Sequence, residues 1–107
     1  NFLIKGFMMF DAIPSNVTLA GLLNFVQNRK GDYNYTDQNN CALAQYLKSL
    51  GYECFISYEH FRARDKNDSL WRCYRINDIA TGLSVALECP PRQNTWASLS
   101  KRILALN

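Results

Sequence analysis

The sequence predicts one small α+β domain, mainly helical, in which three helices pack on a two-stranded antiparallel β-hairpin. Three observations carry this expectation. Apolar residues recur at helical spacing in three separate stretches, each opened by a polar capping residue. A fourth stretch, YECFISYEHF, alternates and is rich in aromatic and β-branched side chains, the pattern of a strand. The chain has 107 residues, 48% of them hydrophobic, which suits one core and leaves no internal boundary to draw across residues 1–107. A two-strand ribbon is not stable alone, so the helices must cover one of its faces.

The opening NFLIKGFMMFDAIPSN is apolar, but Lys5 and Gly6 interrupt it. It has neither a basic leader nor a small-residue cleavage site, and so reads against a secretory signal. Residues 1–7, ahead of Met8 and Met9, read as an upstream remnant. The first helix is expected over residues 17–30, capped by Ser15 or Asn16 after Pro14 and stopped by Gly31. Its apolar face is Leu19, Leu22, Leu23 and Val26, and Arg29 and Lys30 suit the negative end of its dipole. After the polar loop GDYNYTDQNN, a second helix is expected over residues 40–50. Asn39 or Asn40 caps it, Gly51 ends it, and its stripe is Ala42, Leu43, Tyr46, Leu47 and Leu50.

The hairpin is expected to pair residues 52–61 with 70–76 across the turn ARDKNDS. In NDIATGLSVALE, Asn77 or Asp78 offers a cap, but Gly82 and the β-branched residues work against a helix. Pro90 and Pro91 require a loop. The last segment, TWASLSKRILAL, is capped by Asn94 or Thr95 and lines one face with Trp96, Leu99, Ile103 and Leu106.

Charge and cysteine usage narrow the function classes. The net charge of +3, from 12 basic and 9 acidic residues, is mildly basic. No run approaches the roughly 18 apolar residues of a membrane span. Cys41, Cys54, Cys73 and Cys89 form no C-x-x-C pair, and His60 is the one histidine, so neither a metal nor another cofactor is expected. Buried, reduced thiols in a cytoplasmic protein are the expected state.

Three places could carry function. Cys41 falls at the start of the second helix, where unpaired N–H groups favour thiolate. At about 100° per residue it lies opposite the apolar stripe, beside Gln45 and Lys48. His60, 19 residues on, would have to be its base, which makes the pair Cys41 and His60 the outside candidates for catalysis. The second place is FRARDKNDSLWRCYR, where Arg62, Arg64, Lys66, Arg72 and Arg75 outnumber Asp65 and Asp68. Phe61, Trp71 and Tyr74 are interleaved, and a basic hairpin with aromatics can hold phosphates and stack bases. Strand alternation sets Arg72 outward beside inward Cys73 and lets the arginines share one exposed face. The third is the loop with Asp32, Tyr33, Tyr35 and Asp37. Tyr33, Tyr35 and Asp37 are its partner-binding candidates, because tyrosine is favoured at protein interfaces.

The stretches YNYTDQNNCALAQYLKSLGY and TWASLSKRILAL resemble small uncharacterised proteobacterial and phage proteins. Those carry a C-x-x-A-Q-Y-x-x-x-x-G helix and a C-terminal Trp/Leu helix. Cys41, Ala44, Gln45, Tyr46 and Gly51 match the first pattern, and Trp96, Leu99, Arg102 and Ile103 the second. The resemblance implies a phage or prophage modulator of a host protein and supplies no functional residues. The leading expectation is therefore a non-enzymatic protein-interaction module. The alternative is a nucleic-acid binder using the basic hairpin 61–75, and the third reading is a cysteine-dependent enzyme.

Overall fold

Thr18 caps the first helix, three residues after Ser15 and two after Asn16, the expected caps. Its hydroxyl accepts the Gly21 N–H at 3.0 Å, an N-cap bond that satisfies one of the helix's orphan donors. The structure, a computed structural model, describes residues 3–4, 7–8, 10–57, 59–76, 83–86 and 92–106. Helix α1 is Leu19–Gln27 and buries Leu22 and Val26. Helix α2 is Ala42–Ser49, and Cys41, not Asn39 or Asn40, is its N-cap residue. Gly51, at φ 97°, takes the left-handed conformation that swings the chain from α2 into the sheet. Helix α3 is Trp96–Leu104, with the Thr95 hydroxyl accepting the Ser98 N–H at 3.1 Å.

The expected two-stranded hairpin is a three-stranded antiparallel sheet. Besides a short ribbon of β1 (Leu3–Ile4) and β2 (Phe7–Met8), it contains β3 (Tyr52–Ile56), β4 (His60–Asp65) and β5 (Arg72–Arg75), in the order β3-β4-β5. The strand expected over 52–61 breaks because the chain reverses between Ser57 and His60. The Ser57 N–H and hydroxyl both donate to the His60 carbonyl, at 2.9 Å each. The segment expected as a turn from Ala63 is still strand through Asp65. The turn comes later, where the Asp65 and Asp68 carboxylates accept the Asn67 and Leu70 N–H groups at 2.9 and 3.0 Å. Helices of nine, eight and nine residues thus stand beside sheet strands of five, six and four, so the domain is not mainly helical.

The register divides the sheet into two faces. Cys54 pairs with Ala63, Ile56 with Phe61, and Phe61 with Tyr74; all five are buried on the inner face. Helix α2 packs along β3, its Ala44 carbonyl 3.7 Å from the Cys54 sulfur, and brings Leu43 and Leu47 into the same core. Helix α1 packs against α3 behind it, where the Trp96 ring lies 5.9 Å from Phe25 and 5.0 Å from Tyr33. The α1 and α3 ends are tied by backbone. Tyr33 N–H donates to the Asn94 carbonyl at 2.8 Å, and Trp96 N–H to the Gly31 carbonyl at 3.0 Å. The Tyr46 hydroxyl reaches the start of α1, accepting the Thr18 N–H at 3.2 Å, and stands where a Cβ on Gly21 would be. A 3-10 turn at Leu83–Ala86 adds Leu83, Val85 and Ala86 to the core; the stretch before it, Asn77, Asp78 and Gly82 included, lies outside the described residues.

Candidate functional site

Among the described residues no helix packs on the outer face of the sheet, and its side chains follow from the same register. Glu53 pairs with Arg64, Phe55 with Arg62, Arg62 with Cys73, and His60 with Arg75, so these residues share that face. Trp71 joins the row of Arg64, and Phe10 the row of Arg75. Each arginine lies over a ring. The Arg62 guanidinium is 5.9 Å from the Phe55 centroid, Arg64 is 5.1 Å from Trp71, and Arg75 is 4.7 Å from Phe10. Phe55 and Trp71 are themselves neighbours, centroids 5.7 Å apart and tilted by 33°. Glu53 accepts from Arg64 at 3.0 Å at one end of the array, whereas Arg62 and Arg75 have no hydrogen bond or ion pair among the described residues. Phe55, at 42% exposure, is open to a ligand.

The expectation that all the hairpin's arginines share one face needs correcting. Arg72 pairs with Ala63 and therefore belongs to the inner-face rows, projecting at the edge of the sheet towards Asp11 at 3.9 Å. Its neighbour Cys73 is buried as expected, but on the outer side. Lys66 lies in the turn after β4 and is exposed there. Phe55, Phe10 and Glu53 were not among the sequence candidates. Phe55 becomes a neighbour of Arg62 only once the β3–β4 register is known, and Phe10 is brought in from 50 residues before His60 by the backbone of Asp11, which donates to the Cys73 carbonyl at 2.8 Å.

Cys41 and His60 are not brought together. Cys41 has extended backbone (φ −72°, ψ 178°), so the helical angle that set it beside Gln45 and Lys48 does not apply, and its side chain is 5% exposed instead of solvent-facing. Burial pushes its thiol up from the ordinary range. The backbone amides of Ala44 and Leu43 offset part of that rise, and the Asp37 carboxylate adds to it. Cys54, under the same helix, is pushed up by burial to about 11. His60 projects from the opposite face of the sheet, its ring 6.1 Å from Phe10, with the Ser57 hydroxyl 3.4 Å from Nε2. A thiol held protonated is a poor nucleophile. Iodoacetamide at neutral pH is expected to alkylate Cys41 at least about tenfold more slowly in the folded chain than in urea, read by peptide mass spectrometry. Faster labelling in the folded chain would contradict this placement.

The tyrosine loop divides as well. Tyr33 is buried, its hydroxyl accepting from Arg102 at 2.8 Å and its ring against Trp96, so it serves the fold and offers no surface. Asp37 builds the turn into α2: its carbonyl accepts the Cys41 N–H at 2.9 Å and its carboxylate the Asn39 N–H at 3.1 Å. Tyr35 alone of the three is well exposed, at 51%. Among the described residues no cluster of three or more His, Cys, Asp or Glu is placed to hold a metal ion, and no helix is long and apolar enough to cross a membrane. Comparison of the chain with protein-family models, with curated proteins and with solved structures finds no match.

Proposed function

We propose that this chain is a non-catalytic binding module that engages nucleic acid through the outer face of its sheet. The observation that carries the reading is the arrangement of Arg62, Arg64 and Arg75, each with its guanidinium over an aromatic ring on one face that no described helix covers. A guanidinium stacked on a ring keeps its N–H edges available, so the same side chain can lie against a base or ring and donate to a phosphate. Arg64 and the two arginines with no hydrogen bond or ion pair among the described residues, Arg62 and Arg75, supply the phosphate-binding charge.

The test is binding of a labelled 12-nucleotide single strand and of a 12-base-pair duplex, each measured across a salt series. At least one is expected to bind with a log–log salt slope of about −2 to −3, since each of three phosphate contacts contributes about −0.7 to −0.9. Arg72, on the inner-face side and beside Asp11, adds nothing to that slope. Arg62→Ala with Arg75→Ala should flatten it to about −1. Failure of both probes to bind at low salt would overturn the reading.

A protein partner is the second reading, favoured by the exposure of Tyr35 at 51% and Leu70 at 52%, and by the resemblance to phage proteins that would modulate a host protein. Its signature is a nuclease-resistant complex from a bacterial lysate that Tyr35→Ala weakens and Arg62→Ala does not.

A further inference from the structure

Resting on that nucleic-acid reading, we infer that the outer face is a track for an extended single strand, with Phe55 and Trp71 as its base-stacking platform. The spacing of the track comes from β4. His60, Arg62 and Arg64 are alternate residues of one strand, so their side chains leave the same face at steps of about 6.5–7 Å. That step is comparable with one nucleotide of an extended chain, so successive phosphates can meet successive positions. Across the sheet, each position is matched by a ring. Trp71 lies beside Arg64, Phe55 beside Arg62, and Phe10 beside His60 and Arg75.

Rings presented in this way are of use only to bases whose faces are free. A duplex stacks its bases on one another and shows a sheet only its backbone and groove edges, leaving Phe55 without a role. Charge sets the direction in which the track ends. Glu53 holds Arg64 at 3.0 Å and adds a negative charge that repels a further phosphate, whereas at the other end Arg75 has no ion pair among the described residues. The strand therefore enters over His60 and Arg75, and its last stacked base lies on Trp71.

Oligodeoxythymidylate of 12 nucleotides and a 12-base-pair duplex, titrated against the whole chain at about 50 mM salt, distinguish the possibilities. Expected is at least about tenfold tighter binding of the single strand, with quenching of tryptophan fluorescence. Trp71→Phe should abolish the quenching, because Trp96 is buried. Phe55→Ala, at a position 42% exposed, should weaken the single strand about tenfold and leave the duplex unchanged. Duplex binding as tight as the single strand, without quenching, would overturn the track and leave the nucleic-acid reading standing. Poly-L-glutamate binding as tightly as the oligonucleotide, or no binding of either nucleic acid, would overturn both.

Discussion

Trp96→Ala is expected to cost about 3–5 kcal/mol, much of the roughly 5–15 kcal/mol that holds a domain of this size folded. Trp96 is 2% exposed and stands where α1, α3 and the loop after α1 meet. Its ring is edge-on to Phe25 at 80° and 5.9 Å, and 5.0 Å from Tyr33. The Arg29 guanidinium closes over the same ring at 4.8 Å while donating to Gln45 at 2.7 Å, so one side chain couples both other helices to Trp96. Truncation leaves a cavity that three separate elements would have to close together, which is why the loss should lie at the costly end. Urea denaturation should show a lower midpoint with an unchanged slope. Trp71→Phe, on the outer face, should stay within about 0.5 kcal/mol of the parent. A loss below about 1 kcal/mol for Trp96→Ala would contradict this account of the core.

Gly21→Ala should destabilise the chain by about 1–3 kcal/mol, although alanine in a helix ordinarily gains about 1 kcal/mol over glycine. The reversal comes from Tyr46. A Cβ at position 21 would overlap the Tyr46 hydroxyl and stand 3.3 Å from Cζ and 3.1 Å from the Thr18 hydroxyl oxygen. Tyr46 is 2% exposed, and its ring is held by Phe25 at 5.9 Å, so it cannot swing aside. If it is displaced, the Thr18 N–H loses its acceptor at the start of α1, and the Tyr46 hydroxyl loses the carbonyls of Asn16 and Thr18 at 3.3 Å. Tyr46→Phe removes the obstructing oxygen. In that background Gly21→Ala should cost less than in the parent, a coupling of at least about 1 kcal/mol in a double-mutant cycle. Additive losses would mean that Gly21 and Tyr46 do not share this contact.

The helices were legible because capping and periodicity are local. Of the expected face Trp96, Leu99, Ile103 and Leu106, the first three are buried, and Leu106, beyond the end of α3, is 51% exposed. The sheet was misread at a place where the sequence carries no glycine, proline or asparagine to mark a turn. A subtler signal was there: the inward residues are even-numbered up to Ile56 and odd-numbered from Phe61, and a single strand cannot change parity. Cys41 illustrates a different limit. A helical wheel assumes helical backbone, and an N-cap residue does not have it. The binding face was half visible, because the arginines are sequence neighbours. Their rings Phe55 and Phe10 arrive through pairing partners, which no local window contains.

The backbone along the two rims of the three-stranded sheet has a consequence for how copies of this chain treat one another. Unpaired strand rims invite edge-to-edge aggregation, and a chain with a flat, aromatic sheet face is especially exposed to it. Here each rim carries a loop contact at one point. Asp11 bridges to Tyr74 and donates to the Cys73 carbonyl at 2.8 Å along β5, and on the β3 side the Ile56 N–H is spent on the Gln38 carbonyl at 2.7 Å. A second sheet extending along either rim would meet loop backbone already hydrogen-bonded at Cys73 or at Ile56 and would have to displace it there. These contacts shorten the run of free backbone on which a neighbouring copy could extend the sheet.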